Sequence, residues 1–151
     1  VTEENPLGKA TTWTFENLNR LIQTTLPDPD GAGSLTSPAT QFGYDALSRR
    51  ISLTDPESNV TTWAFDGLNR VTSETNALSN VRTFSYNASG DLTSRTDRNG
   101  RVTNYAYDNL HRRTQETWIS GGSTVNTFSW NFDAASQLTS ASATGTAVAY
   151  T

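Results

Sequence analysis

Thr62-Trp63-Ala64-Phe65-Asp66-Gly67-Leu68-Asn69-Arg70-Val71 reads as the first strand and the turn of a β-hairpin. The rings of Trp63 and Phe65 stand two residues apart, so they share one face of a strand, where side chains alternate with period two. Asp66 then opens a turn. A short carboxylate accepts bonds from backbone N–H groups two residues on, and Asn69 tolerates the left-handed backbone that a tight reversal needs. Val71-Thr72-Ser73-Glu74-Thr75 resumes the alternation as a second strand.

The same template runs along the chain. It fits residues 12–21, with Trp13, Phe15 and Arg20, and residues 41–50, with Phe42, Tyr44, Asp45 and Arg49. It fits residues 83–92 more loosely, with Phe84 and Tyr86. It returns at residues 104–113, with Tyr105, Tyr107, Asp108 and Arg112, and in a degenerate copy with Trp130, Phe132 and Asp133. The first aromatics fall at 13, 42, 63, 84, 105 and 130, so the spacing is 29, 21, 21, 21 and 25. Two insertions account for the longer steps: Pro27-Asp28-Pro29-Asp30-Gly31-Ala32-Gly33-Ser34 and Ile119-Ser120-Gly121-Gly122-Ser123, both expected as surface loops. Return turns are expected at Asp55-Pro56-Glu57-Ser58-Asn59 and Asp97-Arg98-Asn99-Gly100, the latter carrying the Asn-Gly hairpin signal.

Each copy thus makes about two strands, and six copies make about twelve, a strip about 55 Å wide at the usual strand spacing. The expected fold is all-β: tandem β-hairpins of about 21 residues forming one curved antiparallel sheet, with the aromatics as a continuous ladder on one face. The insertions leave the template in phase, so residues 1–151 are expected to be a single repeat array. Val1-Thr2 aligns with Val71-Thr72, and Val148-Ala149-Tyr150 reads as the opening of a seventh copy, so the array is expected to be cut mid-repeat at both ends.

Composition agrees. Of 151 residues only 34% are hydrophobic and 17% charged, whereas 10% are aromatic, a balance suited to half-buried strands. The chain has no Cys, which removes disulfides and thiolate metal sites. A net charge of -4 argues against nucleic acid as a partner, and no run of 18 apolar residues marks a membrane span.

Little in the chain points to catalysis. Asp45, Asp66, Asp108 and Asp133 recur as acid pairs do in glycosidases, but their fixed place after the second aromatic fits turn capping better. Arg20, Arg49, Arg70 and Arg112 form a row that would suit an anionic polymer; packing over an aromatic beside a carboxylate is the stronger reading. His111 is the single His and sits in the turn slot, which leaves no His-based metal site. No catalytic, cofactor or metal residue is therefore expected. Exposed Trp and Tyr would alternatively serve a glycan- or cell-surface-binding module.

The template aromatic-x-aromatic-Asp-x-Leu-Asn-Arg-Leu, with a Thr-Asp turn downstream, resembles the RHS/YD-repeat family, best at Phe42-Gly43-Tyr44-Asp45-Ala46-Leu47-Ser48-Arg49 and Tyr105-Ala106-Tyr107-Asp108-Asn109-Leu110-His111-Arg112. The resemblance implies hairpins wound into a spiral strip that closes as a hollow shell. In bacterial members the shell encloses a toxic polypeptide; in the animal teneurins a similar barrel serves cell-surface adhesion. By resemblance the chain is a non-catalytic structural segment of a secreted or cell-surface protein, with an enclosed polypeptide as one expected partner. Further repeats of the parent chain, or identical subunits joined through edge strands, are the other; joined subunits would make a head-to-tail filament. The family's Gly before Arg survives only at Gly90, where Asp91 replaces the Arg.

Overall fold

A computed structural model describes residues 1–31 and 33–145, and among them there are thirteen strands and no helix. The chain divides into two compact units, Val1–Asn80 and Val81–Thr151. The first holds β1 (Thr2–Glu4), β2 (Ala10–Phe15), β3 (Leu21–Thr25), β4 (Ala39–Tyr44), β5 (Arg50–Thr54), β6 (Val60–Phe65) and β7 (Val71–Thr75). The second holds β8 (Val81–Tyr86), β9 (Leu92–Thr96), β10 (Val102–Tyr107), β11 (Arg113–Ser120), β12 (Ser123–Phe132) and β13 (Leu138–Gly145). Within each unit every strand pairs antiparallel with the next in sequence, so the chain is a run of tandem hairpins. The strand beyond the expected twelve is β1, whose turn Asn5–Lys9 repeats the hydrogen bonds of Asn76–Asn80. Val148, Ala149 and Tyr150 lie outside the described residues.

One turn design recurs. In Asp66–Arg70 the Asp66 N–H donates to the Arg70 carbonyl and the Asn69 N–H to the Asp66 carbonyl. The Asp66 carboxylate oxygen Oδ1 accepts from the N–H of Leu68 at 2.8 Å and of Arg70 at 3.0 Å, so the aspartate caps its own turn. The fourth residue takes positive φ: 57° at Asn19, 62° at Ser48, 63° at Asn69, 95° at Gly90, 60° at His111 and 62° at Ser136. Return turns obey the same rule, with φ of 67° at Ser58 and 61° at Ser79. The Asn-Gly pair makes the expected hairpin, yet only Gly100 is left-handed, at 76°, because Asp97 again opens a five-residue turn. Replacing Ser58 by Gly removes left-handed strain and is expected to stabilise by about 0.5 kcal/mol, whereas Ser58→Val should cost about 1–2 kcal/mol. Chemical denaturation checks both signs.

Each of these hairpins also carries a bulge just before its second aromatic. Gly43 pairs with Ser52 but Tyr44 pairs with Arg50, which leaves Ile51 as the extra residue; Ala64, Phe65 and Val71 repeat the pattern. The bulge thereby sets Arg50 directly opposite Tyr44, on the face that carries the rings. The opposite face carries small polar side chains, such as Thr12, Thr25, Gln41, Thr54, Thr62 and Thr75, paired across the strands.

The second insertion departs from its expected form. Ile119 and Ser120 continue β11 and Ser123 starts β12, so only Gly121 and Gly122 form the turn, both with positive φ (57° and 80°). Two glycines make a two-residue reversal that matches strand twist, and β-branched Thr117, Ile119 and Thr124 extend the pairing, with Val125 left over as the extra residue of a bulge. The first insertion is a loop as expected. Its Asp28 carboxylate accepts from the N–H of Asp30 and Gly31, and Lys9 Nζ donates to the Asp28 carbonyl at 2.9 Å.

Among the described residues no apolar side chain is fully buried, and the least exposed residues are Thr103 at 8% and Glu74 at 9%. Apolar surface is covered mainly by neighbouring hairpins, not by a second layer.

Candidate functional site: an arginine clasp between hairpins

Arg49 shows what the repeat builds. Its Nε donates to Asp45 Oδ2 at 2.6 Å, within its own turn. Its outer nitrogen reaches the next hairpin, donating to the Asp66 carbonyl at 3.0 Å and to Asn69 Oδ1 at 3.1 Å. The guanidinium lies 4.9 Å from the centroid of the Phe65 ring. One planar group thus ties two successive turns while capping an aromatic, which a fork of fixed donors does well.

The same clasp occurs elsewhere. Arg20 bonds Glu16 in its own turn, the Asp45 carbonyl at 2.9 Å and Ser48 Oγ at 3.1 Å, and covers Tyr44 at 5.0 Å. Arg112 bonds Asp108 at 2.7 Å, the Asp133 carbonyl at 2.9 Å and Ser136 Oγ at 3.1 Å, and covers Phe132 at 4.8 Å. Arg70 bonds Asp66 within its own turn at 2.7 Å. Where the second aromatic is Tyr, its hydroxyl adds a further tie: Tyr44 donates to the Leu21 carbonyl at 2.9 Å and Tyr107 to the Leu92 carbonyl at 3.0 Å.

The first aromatics do not form the continuous ring ladder expected of them. Successive copies stand two strands apart, about 10 Å, beyond the 4.5–7 Å of ring contact. At two of these gaps a second arginine lies between the rings. Arg50 lies 5.9 Å from the Phe42 ring and 5.0 Å from Trp63, and Arg113 lies 5.7 Å from Tyr105 and 4.9 Å from Trp130. The repeat template by itself assigns Arg50 and Arg113 no role. The doublets Arg49-Arg50 and Arg112-Arg113 were the signal: the bulge sends the first to the turns and the second to the rings. Direct ring contact occurs only locally among the described residues, as where Trp118 meets Phe128 at 5.0 Å and Phe128 stacks on Trp130 at 6.3 Å.

One joint is built differently. Asp91 stands in the arginine slot, held by Asn87 Nδ2 at 2.8 Å, and its carboxylate meets His111 Nδ1 of the next hairpin at 3.0 Å. His111 is the turn residue expected and also a contact between hairpins. Among the described residues no cation covers Tyr107, so this joint lacks the fork and the cation–ring contact.

The repeated aspartates are occupied structurally. The backbone N–H of Arg70 does most to hold the Asp66 carboxyl below the ordinary range, against the opposing effect of burial. At Asp45 and Asp108 burial is the largest influence and pushes upward, but the N–H groups and guanidinium of Arg49 and Arg112 outweigh it. Asp91 is lowered by Asn87 first and His111 second. Folded carboxyls below their unfolded value bind fewer protons in the native state, so their stabilisation is complete above the unfolded value near 3.9 and is lost as pH falls through the folded ones. The melting temperature should therefore be level from pH 7 to 5 and fall below about pH 4. Asp66→Asn should flatten that acid limb in calorimetric scans. No group of three or more His, Cys, Asp or Glu side chains among the described residues is placed to hold a metal. No helix there is long and apolar enough to cross a membrane.

The RHS Repeat family model matches residues 44–81 and 86–117, and these stretches are similar to RHS repeats. The hairpin, its capped turn and the clasp are what those residues build. No curated protein matches the chain by sequence. The solved structure titled "Crystal Structure of TcdB2-TccC3-Cdc42" is similar in fold over 93% of this chain, with a TM-score of 0.74 at 14% identity. "Structure of Photorhabdus luminescens Tc holotoxin pore, Mutation TccC3-D651A" is similar over 93%, with a TM-score of 0.70 at 15% identity. The chain spans 8% of the length of each of those chains, and the all-β hairpin fold is what they share with it.

Proposed function

We propose that residues 1–151 are a single repeat array serving as a wall segment of an exported RHS-type shell, without catalytic activity of its own. The observation that carries the reading is the clasp, in which Arg20, Arg49 and Arg112 are each bonded to their own turn and to the following one. Such a device stabilises a strip by nearest-neighbour contacts and extends with the number of repeats. The likeness to a far longer Tc holotoxin chain supports the same role, with the array as one stretch of a larger enclosure. Enclosure of a toxin-type polypeptide follows from that reading.

The test is electron microscopy of the longer parent protein, joined to limited proteolysis. Closed hollow particles with a protected internal fragment would support the shell. Uniform fibres would replace it with a head-to-tail filament. A hydrolase activity abolished by Asp66→Asn or Asp108→Asn would overturn the non-catalytic assignment.

A further inference from the structure

The lengthened fifth hairpin leaves a cavity that the proposed wall role does not use. In the regular copies Asp55 and Asp97 open the return turn; the equivalent position in the fifth is Trp118, still within β11. β11 and β12 therefore run on past the shorter neighbouring turn Asp97–Arg101. A cavity of about 510 Å³ lies there, lined by Arg95 and Asp97, by Arg101 and Val102, and by Thr103, Glu116 and Trp118 among others. A volume of this order suits a small organic molecule.

Its charges are unevenly satisfied. Asp97 Oδ2 is bonded by Arg101 Nε at 2.6 Å, and its Oδ1 accepts from the N–H of Asn99 and Arg101. Glu116 is bonded by Trp118 Nε1 at 2.6 Å and by Arg113 at 2.9 Å. Arg95, in contrast, makes no side-chain hydrogen bond or ion pair among the described residues, and neither does the hydroxyl of Thr103, which is only 8% exposed. These two groups are direct cross-strand partners, and Thr103 pairs on its other side with Trp118. Arg95, Thr103 and Trp118 thus form one row over three adjacent strands. Arg95 stands at one end, Thr103 in the middle, and the indole about two strand spacings, or 10 Å, from Arg95.

We propose that this cavity binds a small carboxylate carried on a ring: the carboxylate on the Arg95 guanidinium and the Thr103 hydroxyl, the ring against Trp118. A carboxylate accepts from both donors without disturbing the neighbouring ion pairs, and an indole face takes either an aromatic ring or the C–H face of a sugar. An acidic sugar and an aromatic acid share this chemistry, and the probes separate them.

The 151-residue chain, with its fold checked by circular dichroism, would be titrated calorimetrically with D-glucuronate and with phenylacetate. Glucose and phenylacetamide are the uncharged controls. Saturable binding is expected for at least one acid, at least about tenfold tighter than its neutral partner, as loss of a charge-assisted bond implies. Arg95→Gln should weaken it by about tenfold or more, whereas Arg101→Gln, which removes a guanidinium already engaged by Asp97, should change it by less than about threefold. Glucuronate alone binding would assign an acidic sugar, phenylacetate alone an aromatic acid, and both a site that reads only the carboxylate and ring. Absence of saturation with either acid would overturn the proposal. So would equal binding of the neutral partners, or no effect of Arg95→Gln. None of these outcomes bears on the shell, which is judged by particle shape.

Discussion

Arg49→Ala is expected to lower the melting temperature by about 5–8 °C, and Arg49→Lys to recover less than half of that loss. The reasoning is geometric. Arg49 makes three charge-assisted bonds, to the Asp45 carboxylate, the Asp66 carbonyl and Asn69 Oδ1, and covers Phe65 as well. The alanine variant loses them together and leaves the Asp45 carboxylate and the Asp66 carbonyl without that donor. An ammonium has no planar fork, so it can serve the carboxylate or the neighbouring turn but not both while lying over a ring. At 22% exposure the side chain is too covered for water to replace these contacts fully. Thermal unfolding of the three proteins decides it. A loss under about 2 °C for the alanine variant would mean that the clasp is decorative surface pairing.

The joint of Asp91 and His111 offers the reverse experiment. Rebuilding the clasp there takes three changes: Asn87→Asp, Asp91→Arg and His111→Asn. The new guanidinium would bond the carboxylate in its own turn, the Asp108 carbonyl and the asparagine amide, and would cover Tyr107 as Arg20 covers Tyr44. The triple variant is expected to melt about 5 °C higher than the parent. Asp91→Arg alone should give no gain, because Asn87 supplies no carboxylate to the arginine and the contact with His111 is lost. Native-state hydrogen exchange should meanwhile show slower exchange across β9 and β10, since the weakest joint sets local opening. A triple variant no more stable than the parent would show that the swapped pair already holds as firmly as the arginine.

Much of this architecture was legible in the residues. Trp63-Ala64-Phe65-Asp66 specifies a strand, a face and a turn, because side-chain alternation and aspartate capping act over five residues or fewer. Repetition of that text six times turned a weak local signal into a fold, and the aspartates were readable as caps from their fixed place after the second ring. The bulges were hidden, since the extra residue Ile51 looks like any strand residue until Gly43 and Tyr44 find their partners. Ile119 and Ser120 misled for a related reason: glycines beside them suggested a loop, but pairing with Thr124 and Ser123 carries the strand onward.

The boundary between the two kinds of knowledge follows the range of the forces. What a side chain does to its own five-residue turn is written in the sequence, and so the hairpins, the capped turns and the shared face of the rings could be named from it. What Arg20, Arg49 and Arg112 do to the next turn, how Arg50 and Arg113 part the rings, and why Arg95, Thr103 and Trp118 fall in one row depend on register between strands about ten to thirty residues apart. Only the folded chain settles that register, because bulges and turn lengths accumulate along it and each shift of one residue moves a side chain to the other face.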